Sequence, residues 1–297
     1  MKPLLFLRGL VAIPLIIASM VFISLSIILG GCLAYCMPSI KLRASILRSL
    51  LFFPLLWGRI NRIILFTGVR HKWDIRIPNG LSFNDWYLLI ANHRSGADIL
   101  VLVSLFSTHI PLFKFFYKRE LIWKLPFAGL AMWFLHYPHV ARHSREKLRK
   151  NPSLKQKSLE EIQAACFKLQ EAPATAVNFA EGTRFTQEKH KNKNSPFQYL
   201  LPPKAQGIAM VINSLNEKLS CILDVDILYC PSPSMWSLLS GQYKKIIVHA
   251  HRLPVESSLK GDYLNDREYR KFFQDWINAL WERKDRRLAD LIRADDE

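Results

Sequence analysis

The sequence predicts an α/β fold: a mixed sheet covered by helices and preceded by an N-terminal membrane-anchoring helical segment. Three observations carry that expectation. After "IPNG", runs of strand length alternate with segments of helical periodicity. Between Gly9 and Ile40 the chain has no charged residue. Its 297 residues, 50% of them hydrophobic, suffice for one main domain with a substantial core. The expected division is anchoring helices over 1–70 and the main domain over 71–297.

The first element is the uncharged stretch, whose centre, "LIIASMVFISLSIIL", is as apolar as a membrane segment. About 20 such residues, at roughly 1.5 Å each, cross the hydrocarbon layer. A cleaved signal peptide is the alternative, and "LGGC" at 29–32 resembles a lipoprotein processing site. The apolar run outlasts the roughly 7–15 residues of a signal-peptide core, which favours a retained anchor. A second apolar tract, "SILRSLLFFPLLWGRINRIILFTGV", is interrupted by Pro54 and punctuated by Arg48, Arg59 and Arg62, and so reads as interfacial rather than spanning. Lys2 and Arg8 precede the anchor, and Lys41, Arg43 and Arg48 follow it, so charge does not orient it. A re-entrant pair with both ends cytoplasmic fits. The expected location is a membrane, the inner one in a bacterium, with the main domain on the cytoplasmic side.

In the main domain "WYLLIAN" (86–92) reads as a buried strand and "ADILVLVSLFS" (97–107) as the helix directly after it. "FLHYPHVA" (134–141) reads as a strand, and a charged helix follows from Ser144 to Leu169. "ATAVNFA" (174–180) is again a strand, "QGIAMVINSLN" (206–216) a helix, and "CILDVDILY" (221–229) and "YKKIIVHAH" (243–251) are strands. A long amphipathic helix runs from Asp266 to Ile292, with Tyr269, Phe272, Phe273, Trp276, Ile277, Leu280 and Trp281 in a core-facing stripe. The lysine-rich segment "RFTQEKHKNKNSPFQYLLPPK" (184–204) is expected to be a long surface loop near the site.

Lys and Arg outnumber Asp and Glu 41 to 24, a formal charge of +17 that suits a protein held against an anionic surface. The basic residues are scattered and no finger, homeodomain or aromatic RNA-binding signature is present, so nucleic acid is excluded as a partner. Cys32, Cys36, Cys166, Cys221 and Cys230 show no repeated spacing and read as reduced thiols, not a disulfide framework or metal site.

The stretch "NHRSGADIL" puts His93 where the strand "WYLLIAN" ends, the edge at which ligands collect in open α/β sheets. "SGAD" fits a capping box, with Ser95 capping the helix and Asp98 at its third position. On a continuous helix residues five apart lie about 140° apart around the axis, too far for contact. A turn between them lets Asp98 bend back to the imidazole. The aspartate then accepts one ring N–H while the other nitrogen removes a proton from a substrate hydroxyl. A satisfied surface histidine is the equal alternative on chemistry alone.

"FAEGTRF" (179–185) also follows a strand, so its turn opens on the same edge. Gly182 lets the backbone approach a ligand, Thr183 offers a hydroxyl, and Arg184 presents a fork suited to phosphate. Glu181 is placed to orient that arginine or a substrate hydroxyl. A solvated strand-to-helix turn is the alternative for either motif taken singly.

The two motifs in this order resemble the N-H-x-S-x-x-D and F-P-E-G-T-R blocks of the glycerolipid acyltransferases, the family that includes 1-acylglycerol-3-phosphate acyltransferase. Between them "KRELIWKLPFAG", with Lys118, Glu120, Leu121, Pro126 and Gly129, looks like that family's connecting block, and "KAQG", with Lys204 and Gly207, like the segment after its E-G-T-R turn. Over roughly 80–230 the similarity implies a glycerol-3-phosphate acyltransferase-like fold. It implies acyl transfer from acyl-CoA or acyl carrier protein to the sn-2 hydroxyl of lysophosphatidic acid, giving phosphatidic acid. The implied roles are His93 as base, Asp98 as its holder, and Arg184 with Arg142 on the acceptor phosphate. Lys118, Lys204 and the Glu181-Gly182-Thr183 turn would assist them. No cofactor or metal is implied, because the thioester is already activated; the partners are membrane lipids, the lysophospholipid and the acyl donor. Another lysophospholipid acceptor, a hydrolase and a non-catalytic membrane scaffold are the competing readings. Two departures are Ala180 in place of proline, and "LDVDILY" with Asp224 and Asp226 where the family has a proline-containing strand.

Overall fold

A computed structural model describes residues 2–67, 72–118, 125, 127–140, 151–230 and 234–296. Three helices come first, α1 (Lys2–Cys36), α2 (Ile40–Leu50) and α3 (Phe52–Phe66). Strands β1 (Lys72–Arg76) and β2 (Trp86–Ala91) lead to α4 (Ala97–Phe106), then β3 (Phe113–Phe115), β4 (Tyr117–Lys118), α5 (Ala128–Phe134) and β5 (His139–Val140). Next are α6 (Pro152–Phe167), β6 (Thr175–Phe179), α7 (Gln187–Asn192), α8 (Ala205–Leu215), β7 (Leu219–Cys230), α9 (Met235–Ser240), β8 (Lys245–Leu253) and α10 (Arg267–Asp296).

The main sheet has the order β1-β8-β7-β2-β6-β3. It is mixed: β7 and β8 pair antiparallel, and every other neighbouring pair is parallel. Strand β2, central and buried on both faces, is for that reason a continuous apolar run. Its last residue, Ala91, pairs with Phe179 of β6 and Val225 of β7, so the chain leaves β2 and β6 at one edge of the sheet.

Each face carries its own core. On one, Leu89, Ala91, Leu223, Val225, Ile227 and Val248 pack with Val101, Leu102 and Leu105 of α4 and Leu65 of α3. On the other, Leu88, Ile90, Ile222 and Ile247 pack with Ile208 and Ile212 of α8 and with Phe273, Ile277, Leu280 and Trp281 of α10. The C-terminal aromatic stripe therefore faces the core, with Tyr269 and Trp276 partly buried at its margin, except for Phe272, which is exposed.

Helix α1 spans about 50 Å at 1.5 Å per residue. It buries a narrow stripe, Ala12, Ile23, Ile27 and Ala34, and leaves Leu4, Leu7, Leu10, Phe22, Leu29 and Leu33 exposed. Both ends touch the domain. Near its start Phe6 packs on Trp236 of α9 at 5.3 Å, and the Arg8 guanidinium donates to carbonyls of Leu239, Ile64 and Thr67, at the last turns of α9 and α3. Near its end Gly31 lies so close to Phe134 of α5 that any Cβ would collide with the ring.

Two stretches, Pro3–Cys36 and Ile40–Phe66, are long and apolar enough to cross a membrane. The second was expected to lie at the interface as one tract. It breaks at Leu51, with Pro54 in the first turn of α3 where a missing N–H costs nothing. Leu65 and Asn61 of α3 are buried while Phe52, Arg59 and Ile63 face outward, so this helix is also a wall of the domain.

Two elements differ from the sequence expectation. Among the described residues of "FLHYPHVA" the strand is confined to His139–Val140, which pairs with β4; Phe134 ends α5, a turn with His136 at φ 54° follows, and Ala141 lies outside the described residues. The segment 184–204 is no open loop. It contains α7 and buries Phe197, Leu200 and Leu201, and the Asp285 carboxylate of α10 accepts the backbone N–H groups of Gln198 and Tyr199. Apolar anchors spaced at 197, 200 and 201 in a polar surround leave no periodic signal. The first part of the expected charged helix, 144–150, falls outside the described residues.

Candidate active site

Where β2 ends, the Asn92 side chain continues the ladder: its Nδ2 donates to Ile227 O at 2.9 Å and its Oδ1 accepts from Ile227 N at 2.8 Å. This brings His93 out at the sheet edge with a fixed backbone. The imidazole stacks on Phe179, the last residue of β6, with centroids 4.2 Å apart. Its Nδ1 lies 2.8 Å from Asp98 Oδ2. A carboxylate in this geometry accepts, so Nδ1 is the donor, and in the neutral imidazole that tautomer leaves the Nε2 lone pair free.

Asp98 is fully buried and saturated with donors. Oδ2 also accepts the backbone N–H groups of Arg94 at 2.6 Å and Ser95 at 2.9 Å, and Oδ1 accepts the Tyr229 hydroxyl at 2.8 Å. The Ser95 bond is half of the expected capping box. The other half goes to Ala97 N, which donates to Ser95 Oγ at 3.2 Å; the helix begins at Ala97 as expected, but with Gly96, not Ser95, at its cap. Burial, and then the Asp98 charge, push the Tyr229 phenol far above its usual range, so it stays a donor.

The second turn clamps the first through the backbone of His93. Glu181 Oε1 accepts the His93 N–H at 2.8 Å, and Phe185 N donates to His93 O at 2.8 Å. Glu181 Oε2 accepts Leu201 N at 3.0 Å. Glu181 was expected to face an arginine or the substrate; it is instead fully buried, with both oxygens committed to backbone amides. Burial pushes its carboxyl above the usual range, against those two bonds and the nearby Arg94 charge. Arg94 stacks over Phe185 at 4.8 Å, and desolvation lowers its pKa despite Glu181, Asp98 and Asp285 around it.

Gly182 has φ +65°, and the space a Cβ would need is taken by the Lys204 side chain, with Nζ 2.7 Å from that point. The close approach this glycine permits is thus to a lysine. Lys204 is exposed, and its N–H donates to Ala180 O at 2.8 Å. Arg184 is exposed, its Nη1 3.9 Å from where a Cβ on Gly96 would lie, so the guanidinium covers the start of α4. Lys189 Nζ donates to Thr183 Oγ1 at 2.9 Å and to Arg184 O at 3.1 Å, which spends the Thr183 oxygen on bracing the turn. Arg184, Lys204 and Lys189 thus gather on the turn after β6, with Arg184 reaching the start of α4, a cluster suited to an anion. Lys118 enters the structure through its backbone in β4, Gly129 is buried in α5, and Arg142, Glu120, Leu121 and Pro126 lie outside the described residues.

Asp224 and Asp226 belong to the scaffold. Lys284 of α10 is within 2.7 Å of Asp224 and 2.9 Å of Asp226, and Arg287 is within 2.5 Å and 2.6 Å of them, with His251 3.2 Å from Asp226. Burial pushes the Asp226 carboxyl up, but Lys284, His251 and Arg287 outweigh it and hold the group well below the usual range. Sequence reasoning missed Asn92 as a strand extender, and Tyr229, Phe179, Arg94 and Lys189 at the site. Of these, Asn92 and Arg94 stood inside "NHRSGADIL" and Phe179 inside "FAEGTRF", whereas Lys189 stood in the segment expected to be a loop.

The sequence model of the Acyltransferase family matches residues 74–228. Human 1-acyl-sn-glycerol-3-phosphate acyltransferase delta is 24% identical over 239 residues, 77% of this chain and 52% of that protein. Lysocardiolipin acyltransferase 1 of Mus musculus is 26% identical over 138 residues, 41% and 34% respectively. 1-acyl-sn-glycerol-3-phosphate acyltransferase 3 of Arabidopsis thaliana is 25% identical over 185 residues, 56% and 45%. The alignments span between 34% and 52% of these relatives' own lengths. The crystal structure of the 1-acyl-sn-glycerophosphate (LPA) acyltransferase PlsC from Thermotoga maritima matches in fold with TM-score 0.51 at 18% identity, over 95% of this chain and 98% of that one.

Proposed function

The chain belongs to the Acyltransferase family, and from that premise we propose that it moves a fatty acyl group from a thioester to the free sn-2 hydroxyl of lysophosphatidic acid, forming phosphatidic acid. The observation that carries the proposal is the His93–Asp98 pair, 2.8 Å apart, clamped by the Glu181–Phe185 turn on both sides of the His93 backbone. Relatives named 1-acyl-sn-glycerol-3-phosphate acyltransferase support the choice of acceptor.

In this mechanism His93 Nε2 takes the proton of the acceptor hydroxyl as its oxygen attacks the thioester carbonyl. Asp98 stabilises the imidazolium that forms. The tetrahedral intermediate collapses by breaking the C–S bond, and the imidazolium returns its proton to the departing thiolate. Arg184 and Lys204, joined by Arg142 and Lys118, hold the acceptor phosphate and so keep the hydroxyl in line, where geometry contributes much of the rate. Acyl-CoA or acyl carrier protein is the donor, and no cofactor is required.

Residues 1–70 hold the enzyme to the bilayer on its cytoplasmic side, with the exposed apolar surface of α1 toward lipid, and 71–297 carry the reaction. The mouse relative named lysocardiolipin acyltransferase 1 favours a second reading, in which another lysophospholipid is the acceptor. The deciding experiment is an acyl-transfer assay on the purified full chain with lysophosphatidic acid and a panel of other lysophospholipids, beside His93→Ala. Loss of roughly 10²- to 10⁴-fold in rate is expected for that variant. Near-normal thiol release by a folded His93→Ala protein removes the base assignment.

A further inference from the structure

We propose that Tyr229 is a positioning residue for the acyl transfer, holding Asp98 in place and tempering its basicity so that His93 stays unprotonated and ready to accept a proton. The inference rests on the His93–Asp98 reading above. Strand β7 outruns its neighbour: β2 stops at the pair Ala91–Val225, whereas β7 continues to Cys230. The Asn92 amide closes onto Ile227, and two residues further on β7 brings the Tyr229 ring behind Asp98 on the same sheet face. There its hydroxyl donates to Asp98 Oδ1 at 2.8 Å, the oxygen that His93 does not use.

The position is built for that bond. Tyr229 is buried, its ring lies 5.2 Å from that of Tyr243, and Tyr243 is itself anchored, its hydroxyl donating to Ser234 O at 2.8 Å. Each donor on a carboxylate disperses its charge and reduces its pull on a neighbouring proton. Asp98 with its full donor set therefore orients the imidazole while pulling less on its proton. The other charged or titratable groups around the pair are Arg94, Glu181 and Tyr243, with the Arg184 guanidinium over the start of α4. Arg94 opposes protonation of His93 and Glu181 favours it, and neither changes when Tyr229 does.

The sign follows. Removing the Tyr229 hydroxyl concentrates negative charge on Asp98, favours the imidazolium and raises the pKa of His93. In Tyr229→Phe the acid limb of the pH profile of kcat/KM should move upward by about half a unit or more, with KM for both substrates unchanged at high pH. A merely structural tyrosine would lower the melting temperature and scale the whole profile down without displacing the limb. An unmoved limb in a folded Tyr229→Phe enzyme overturns the inference. Should that variant not fold, site-specific 3-fluorotyrosine at 229, a stronger donor of nearly the same shape, should move the limb downward, and no movement is again the overturning result. His93→Ala in the same series separates the failures. Retained transfer there removes the base assignment itself, whereas an inactive His93→Ala with an unmoved Tyr229→Phe limb removes this inference alone.

Discussion

The Glu181 carboxylate accepts the backbone N–H of His93 at 2.8 Å, 88 residues away in the chain, while its second oxygen accepts that of Leu201 at 3.0 Å. One buried anion thus sets the position of the candidate base and of the segment entering α8.

Glu181→Gln keeps the shape but turns an N–H₂ toward one of those two donors. The expected cost is about 1–3 kcal/mol of stability, the penalty for a buried amide left without an acceptor, and a drop in kcat as His93 shifts. The same residue sets a pH dependence. Burial raises its folded-state pKa, so its contribution is fully present below the ordinary carboxylate value and is lost as pH rises through the raised one. Denaturant titrations over that window should show this decline in the natural chain and a flatter response in Glu181→Gln.

Asp98→Asn tests charge apart from orientation. The amide oxygen can take the place of Oδ2, which faces His93, Arg94 N and Ser95 N, while the N–H₂ donates to the Tyr229 oxygen. The imidazole tautomer is then retained, while the negative charge is lost and the buried Tyr229 O–H gives up its acceptor. The fall in kcat should be on the order of 10²-fold, smaller than the roughly 10⁴-fold that a flipped tautomer brings. Steady-state kinetics with a circular dichroism control check it.

Arg184→Ala should raise KM for phosphate-bearing acceptors by about tenfold or more while changing neutral lysolipid acceptors little, the pattern of a lost charge-assisted contact. Equal losses for both acceptor classes contradict a phosphate role.

Lys284→Met strands Asp224 and Asp226 in the core with Arg287 as their remaining close strong cation. Removing one partner of a buried ionic cluster costs about 3–5 kcal/mol. The melting temperature should fall steeply while the folded fraction keeps its rate, because this cluster lies behind the sheet, away from His93. Adding Asp224→Leu should recover much of the loss.

The parts of the site legible in the sequence were those coded locally. His93 and Asp98 stand five apart across a strand end and a helix start, so their contact follows from one turn. The Glu181–Arg184 turn follows a second strand of the same parallel set, so the shared edge could be read as well. What could not be read depends on register between distant segments: Tyr229 reaches Asp98 only because β7 outruns β2, and Asp224 looked like an acceptor-site departure until α10 supplied Lys284. The strand expected at 134–141 is met at His139–Val140, while Phe134 ends a short helix against α1, because an aromatic residue suits either setting.

Helix α1 is fixed at both ends, by Phe6 and Arg8 against α3 and α9 and by Gly31 against Phe134. It therefore acts as cladding on the enzyme as much as a tether. A chain shortened to begin at Ile40 would not be a liberated soluble catalyst: it would bare the surfaces of Trp236, Leu50 and Phe134 to water and aggregate. Detergent or nanodisc preparations of the full chain are the form in which this chemistry can be measured.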